Sequence, residues 1–151
     1  MKIYLASDHA GFELKEYVKK YLKENGYDIS DKGVYNNERS NWAEYGAQGA
    51  EAVSKDPENS RGIIICGSGI GMSIVSNKFK NIRAALCQDE YNAEMSRRHN
   101  NSNVLNMGAR IIDKEKAIKI TEIWLKTPFE GGRHQERLDY LFKEVEEKNF
   151  K

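Results

Sequence analysis

The chain has 151 residues, and its lysines and arginines outnumber its aspartates and glutamates by 24 to 23, a formal net charge of +1. That length suits one α/β domain, residues 1–151, and the balanced charge gives no electrostatic case for nucleic acid or a membrane surface as a partner. Any anion site must be local. Cys66 and Cys87 fit no zinc or CxxC redox spacing, which favours a reduced, cytoplasmic protein without a disulfide. The opening MKIYLASDH turns polar too soon for a signal peptide, and no run approaches the ~20 apolar residues of a membrane span.

In chain order, Lys2 to Ala6 reads as a first strand. Leu14, Tyr17, Val18, Tyr21 and Leu22 then share one helical face before Asn25-Gly26 stops the helix. Tyr27 to Ser30 is a second strand, followed by a polar loop through residues 36–40 and an Ala-rich helix from about Ala43 to Ser54, closed by Asp56-Pro57. Gly62 to Cys66 is the strongest strand signal, because a continuous apolar run suits a strand covered on both faces. A helix through Ile74 and Phe79 follows. Arg83 to Cys87 and Asn103 to Asn106 are two further strands, flanking a helix that contains Tyr91, Met95 and Arg98. Asp113 caps a helix that Thr127-Pro128 ends. Leu138, Leu141, Phe142 and Val145 mark a last amphipathic helix over about 133–148, which either covers the domain or packs on a partner subunit. Strands alternating with helices predict an α/β fold with five parallel strands and crossover helices.

The most informative segment is Cys66-Gly67-Ser68-Gly69-Ile70-Gly71-Met72, where a buried strand runs through a glycine-dense turn into a helix. Open α/β sheets bind ligands at such strand ends, and the glycines let backbone N–H groups converge on an anion. Met72 stands where a dinucleotide fingerprint needs its third glycine. The Lys-Ser/Thr of a P-loop is missing, as is the arginine of a phosphatase loop. What remains is a cysteine facing backbone donors that favour a thiolate, as base or as nucleophile. Cys87 has no such turn after it and reads as core.

Three more groups accompany it. Ser7-Asp8-His9-Ala10-Gly11 ends the first strand on the edge that Cys66 shares, although Asp8 also suits a helix cap. His99-Asn100 closes a helix, with Arg110 after the next strand. In Gly131-Gly132-Arg133-His134-Gln135-Glu136-Arg137 the two arginines stand at i and i+4, spaced to grip one phosphate or to decorate a solvated face.

Taken together, these blocks resemble the type B ribose-5-phosphate isomerase family, which also includes galactose-6-phosphate isomerase subunits. The likeness runs nearly end to end, through SDHAGFELK at 7–15, DKGVYNNERS at 31–40, GIIICGSGIGMSIVSNKFKNIRAA at 62–85, SRRHNNSNVLNMGAR at 96–110 and EGGRHQER at 130–137. The resemblance implies a three-layer α/β/α sandwich with a Rossmann-like sheet and an additional C-terminal helix. It also implies a homodimer with clefts shared between subunits, extended in some arrangements to a dimer of dimers. The reaction implied is the interconversion of ribose 5-phosphate and ribulose 5-phosphate, without metal or cofactor.

The resemblance further assigns Cys66 as the base moving a proton between C2 and C1, His99 as the acid that opens the furanose ring, and Ser68 as a relay between O1 and O2. The turn Gly67, Ser68, Gly69, Ile70, Gly71 would hold the enediolate. His9, Arg133 and Arg137 would bind phosphate, with Asp8, Asn100 and Arg110 on sugar hydroxyls or the phosphate end. Two departures stand out. Ser68 replaces a common threonine, and Asn41-Trp42-Ala43 replaces an Asp-Tyr-Pro run, removing a tyrosine hydroxyl from the sugar's neighbourhood. A six-carbon phosphate such as allose 6-phosphate, a non-catalytic sugar-phosphate-binding protein and a hydrolase with Cys66 as nucleophile are the competing readings.

Overall fold

The computed structural model describes residues 1–150. Five parallel strands, β1 (Lys2–Ser7), β2 (Asp28–Asp31), β3 (Ser60–Cys66), β4 (Ala84–Leu86) and β5 (Val104–Gly108), form one sheet in the order β2-β1-β3-β5-β4. The helices are α1 (Phe12–Glu24), α2 (Trp42–Lys55), α3 (Ile70–Ser76), α4 (Glu90–Arg98), α5 (Lys114–Lys126), α6 (Arg133–Tyr140) and α7 (Glu147–Asn149). The five-stranded parallel sheet expected from the strand rhythm is the one observed.

Strand geometry divides the core in two, because successive side chains point to opposite faces. Ile63 and Ile65 of β3 join Ile3, Leu5, Leu105 and Met107 against Leu14, Val18 and Leu22 of α1 and Ala117, Ile120 and Trp124 of α5. Ile64 and Cys66 point the other way, with Ala6 and Val104, onto Ala50 and Val53 of α2 and Met72 of α3. Cys87 belongs to the first cluster and is fully buried, as its sequence context predicts.

Chain direction reverses across the sheet between β1 and β3. From β1 the chain moves outward to β2, and from β3 it moves to the opposite side. That arrangement opens a crevice at the carboxyl ends of β1 and β3, the usual ligand site of such folds. Ser7 is paired with Ile65 and Cys66 with Gly108, so Asp8, Gly67 and Ala109 all emerge on one edge.

Two sequence expectations shift. The helix drawn through Phe79 stops at Ser76, because the Asn77 side chain donates to Ala84 O at 3.1 Å and accepts from Ala84 N at 2.9 Å, turning the chain into β4. The final helix does not stay α-helical over 133–148. After α6 it widens into a π-helical stretch at Leu141–Glu146 before α7. It folds back on its own chain, where Glu146 accepts a hydrogen bond from Asn81 N at 2.6 Å and the Arg83 guanidinium lies over the Phe142 ring. Between this helix and the β4 edge lies a cavity of about 430 Å³, lined by Phe79, Ile82, Ala85, Leu138, Leu141 and Val145 among others.

Buried ion pairing shapes the loop after β2. Lys15, completely buried in α1, donates to Asp31 Oδ1 at 2.7 Å and to Val34 O at 2.5 Å, while Lys19 reaches Asp31 Oδ2 at 2.8 Å. These bonds pin the start of the segment that carries Ser40 and Trp42 to the crevice.

Candidate active site

Cys66 ends β3 with its side chain on the α2/α3 face, 5% exposed. Its Sγ accepts a hydrogen bond from the Gly69 N–H at 3.2 Å, so the sulfur faces a donor rather than an acceptor. The bond depends on a left-handed residue at Gly69, φ 79°, where a β-carbon would also strike Leu86 and the Met107 backbone. Ser68 Oγ accepts from Ile70 N at 3.2 Å, holding its hydroxyl beside the turn. The first N–H groups of α3 lack intrahelical partners and face the same region.

A cavity of about 330 Å³ opens over this turn, lined by Asp8, His9, Ala10, Trp42, Cys66, Gly67, Ser68, Gly71, Arg110 and Ile111. Asp8 does both things its position suggested. It lines the cavity, and its Oδ1 accepts from Gly11 N at 3.1 Å at the entry to α1. His9 is held by Ser40, whose N–H donates to Nδ1 at 3.1 Å and whose Oγ accepts from His9 N at 2.9 Å. With Nδ1 occupied as an acceptor, the neutral ring carries its proton on Nε2. Arg110 follows β5 and folds over Gly67, and the Trp42 indole lies on Gly71.

His99, Asn100, Arg133 and Arg137 do not join this cavity within one chain. The β3/β5 register runs from Gly62↔Val104 to Cys66↔Gly108, which separates the two rims of the sheet by roughly 13 Å at strand spacing. His99 caps the carboxyl end of α4, just before β5 begins, and so lies at the amino-terminal rim. Asn100 lines the other cavity with Arg83 and Leu138. The His99 ring stacks on that of His134 in α6 with centroids 4.3 Å apart and planes 13° apart, and this brings Arg133 and Arg137 to the same rim. Among the described residues neither arginine has a carboxylate within ion-pair distance.

The stack has a carboxylate beside it. His134 Nε2 lies 3.3 Å from Glu130 Oε2, close but not aligned as a hydrogen bond, and Arg98 holds Glu130 Oε1 at 2.6 Å. Ligand atoms of His99, Glu130 and His134 all fall within 4.8 Å of one another. Near-parallel rings, however, send their in-plane lone pairs side by side. A tetrahedral ion needs them convergent, so these three residues as placed form an imidazole stack rather than a metal cradle.

The family model described as Ribose/Galactose Isomerase matches residues 3–141. The chain belongs to that isomerase family. Among curated relatives it is 44% identical over 140 residues to ribose-5-phosphate isomerase B of Escherichia coli, covering 93% of each chain. It is 43% identical to a putative sugar phosphate isomerase of Bacillus subtilis, over 99% of each. Of solved structures in the family, the ribose-5-phosphate isomerase B of Clostridium thermocellum superposes with a TM-score of 0.93 at 43% identity, covering 98% of this chain and 99% of that one. The enzyme of Mycoplasma genitalium, solved with bound ribulose 5-phosphate, gives 0.93 at 36% identity over 98% and 97%. The three-layer α/β/α expectation agrees with these structures.

Three residues of this isomerase fold are prominent in the geometry but carry no role in the sequence pattern. Ser40 orients His9 from within a block that reads only as a polar loop. Trp42 stands out in the sequence only as a departure from the family's tyrosine, yet it forms a wall of the cavity. His134 sits between the two conspicuous arginines, and its stacking partner lies 35 positions earlier, beyond the reach of any local pattern.

Proposed function

We propose that this chain interconverts D-ribose 5-phosphate and D-ribulose 5-phosphate through an enediolate, with Cys66 as the carbon base. The observation that carries the assignment of the base is the Cys66 sulfur, set in a small cavity that Asp8, His9 and Arg110 also line, and bonded by a backbone N–H of a glycine turn. A proton beside a carbonyl is only weakly acidic, so its removal needs a base, a donor array for the developing oxyanion and a remote anchor. Cys66 is the base, and the Gly67–Gly71 turn supplies the donors, whose stabilisation of the oxyanion usually contributes most to such catalysis.

The steps balance. The C1–O4 bond of the furanose breaks as O4 takes a proton from His99 and the anomeric hydroxyl gives its own to solvent, leaving an aldehyde. The Cys66 thiolate removes the C2 proton, and the charge moves to O1. Ser68 relays a proton from O2 to O1, and Cys66 returns its proton to C1 to give the ketose. His9, Arg133 and Arg137 bind the phosphate, and Asp8, Asn100 and Arg110 contact hydroxyls or the phosphate end.

Because His99, Asn100, Arg133 and Arg137 sit at the far rim, a second copy of the chain brings them to each Cys66 cavity, in a homodimer with two shared clefts. The unpaired arginines and the open apolar cavity under the last helix support this reading. The reaction belongs to the non-oxidative pentose phosphate route, in the cytoplasm. No helix is long and apolar enough to cross a membrane.

The test is the rate of ketose formation from ribose 5-phosphate after exhaustive chelation, with Cys66→Ala in parallel. Rapid turnover that disappears in the variant is expected. A folded wild-type protein without turnover on this sugar, but active on allose 6-phosphate, would transfer the assignment to the six-carbon substrate.

A further inference from the structure

We propose that His134 is a positioning residue for His99: it stays neutral beneath the His99 ring, fixes its plane, and so leaves the ring-opening proton on His99. This rests on the isomerase reading above for its consequence, but the pairing itself stands on geometry. The two imidazoles lie 4.3 Å apart and nearly parallel, too close for both to carry a charge without strong repulsion. The pair therefore holds at most one extra proton, and its surroundings decide which ring is suited to receive it.

Helix ends make the choice. His99 is the C-cap of α4, where unpaired carbonyl groups favour a positive charge. His134 is the second residue of α6, where unpaired N–H groups disfavour one. Burial separates them in the same sense, since His134 is 5% exposed and His99 is partly open to solvent. Burial, followed by His99 and Arg133, pushes the His134 imidazole below its ordinary range, with Arg137 adding to this and Glu130 opposing it.

The charged groups around the pair come from three elements. Arg98 and Glu94 lie on α4 and are paired at 3.1 Å, Glu130 lies on the connection before α6, and Arg133 and Arg137 lie on α6 itself. Arg98 holds Glu130 through its side chain and also through its own carbonyl, which accepts from Glu130 N at 3.1 Å. Much of the Glu130 charge is thus taken up by Arg98, and its free oxygen remains as a stop against the edge of the His134 ring. A neutral aromatic face beneath His99 is also a favourable partner for an imidazolium. Such a stack stabilises the charged acid and limits its rotation, so that it is aimed before the substrate arrives.

Two measurements test this on the full-length protein. The first needs no substrate. The chain contains three histidines, so replacing each singly assigns the imidazole NMR signals. As pH falls, the His134 resonance is expected to keep its neutral position until below the ordinary imidazole range. A His134 ring that takes up its proton within or above that range would overturn the proposal whatever the protein's substrate.

The second compares His134→Ala with His134→Phe, which restores a flat neutral ring. Isomerisation of ribose 5-phosphate is expected to fall about tenfold in His134→Ala, in kcat more than KM, and to recover to within about threefold of wild type in His134→Phe. Exchange of the C1 proton of ribulose 5-phosphate with deuterated solvent uses Cys66 but no ring opening, and should persist in both. Exchange lost in step with isomerisation, or a phenylalanine variant as slow as the alanine one, would overturn the proposal. A wild-type protein inactive on ribose 5-phosphate would instead remove the isomerase reading, leaving the His134 titration to decide the pairing.

Discussion

Arg110 closes over Gly67, so that a β-carbon on that glycine would lie 3.1 Å from the guanidinium Nη1 and 3.3 Å from Cδ. Gly67→Ala should therefore displace Arg110 without unfolding the sheet. The expected result is a KM for ribose 5-phosphate raised about tenfold, with a smaller fall in kcat, because Arg110 is assigned to substrate binding rather than to the proton transfer. Equal losses in kcat and kcat/KM would place Arg110 in the transition state instead.

The division of site residues between two rims allows a complementation test. In the proposed homodimer, the Cys66→Ala and Arg137→Ala variants should each be nearly inactive. Mixed, unfolded and refolded together, they should recover about a quarter of wild-type activity, since half of the random dimers are hybrids and each hybrid holds one intact cleft. No recovery would mean that both residues act within one chain.

Much of this site is visible in the residues themselves, because its main parts end apolar runs. Ile63, Ile64 and Ile65 announce a buried strand and the glycines after Cys66 announce its turn, so the thiol's place at a sheet edge follows from local pattern. Ser7-Asp8-His9 follows in the same way. The rest depends on contacts remote in sequence. Nothing near His99 signals that a ring from α6 will stack on it, and nothing near Ser40 signals that it will orient His9, since that contact requires the loop to be pinned by Lys15 and Asp31. The widening of the last helix at Leu141 has no counterpart in its apolar spacing, which fits an α-helix equally well.

That pin sets an acid limit. Burial alone would raise the Asp31 carboxyl, but hydrogen bonds from Lys15, Lys19 and Gly33 N–H hold it below the usual carboxylate range. Its contribution to stability is complete above the unfolded value of about 3.9 and is lost as pH falls through the lower folded value. Urea midpoints followed from pH 6 to pH 2.5 should show this loss, and Asp31→Asn should flatten it. Lys15→Met, which strands Asp31 beside Lys19 alone, should cost about 3 kcal/mol at neutral pH.

The two cysteines should separate by reactivity. Burial pushes the Cys87 thiol up to about 11, whereas Cys66 opens onto the cavity. Iodoacetamide at pH 8 is expected to add once per chain, at Cys66, and more slowly when a sugar phosphate is present; mass spectrometry of the digest reads the site. Labelling at Cys87 in the folded protein would contradict its place in the core.

Cys66 belongs to a strand paired on both sides, by β1 and by β5, whereas the His99–His134 stack joins the end of one peripheral helix to the start of another. Local opening is most costly in a central strand and least costly at helix ends. On warming, the amides around Cys66 should thus resist exchange with solvent long after those around His99 have begun to exchange. With the roles proposed for Cys66 and His99, heat would disable the ring-opening half of the reaction first, leaving a protein that still scrambles hydrogen on the open-chain ketose but has lost its access to the closed aldose.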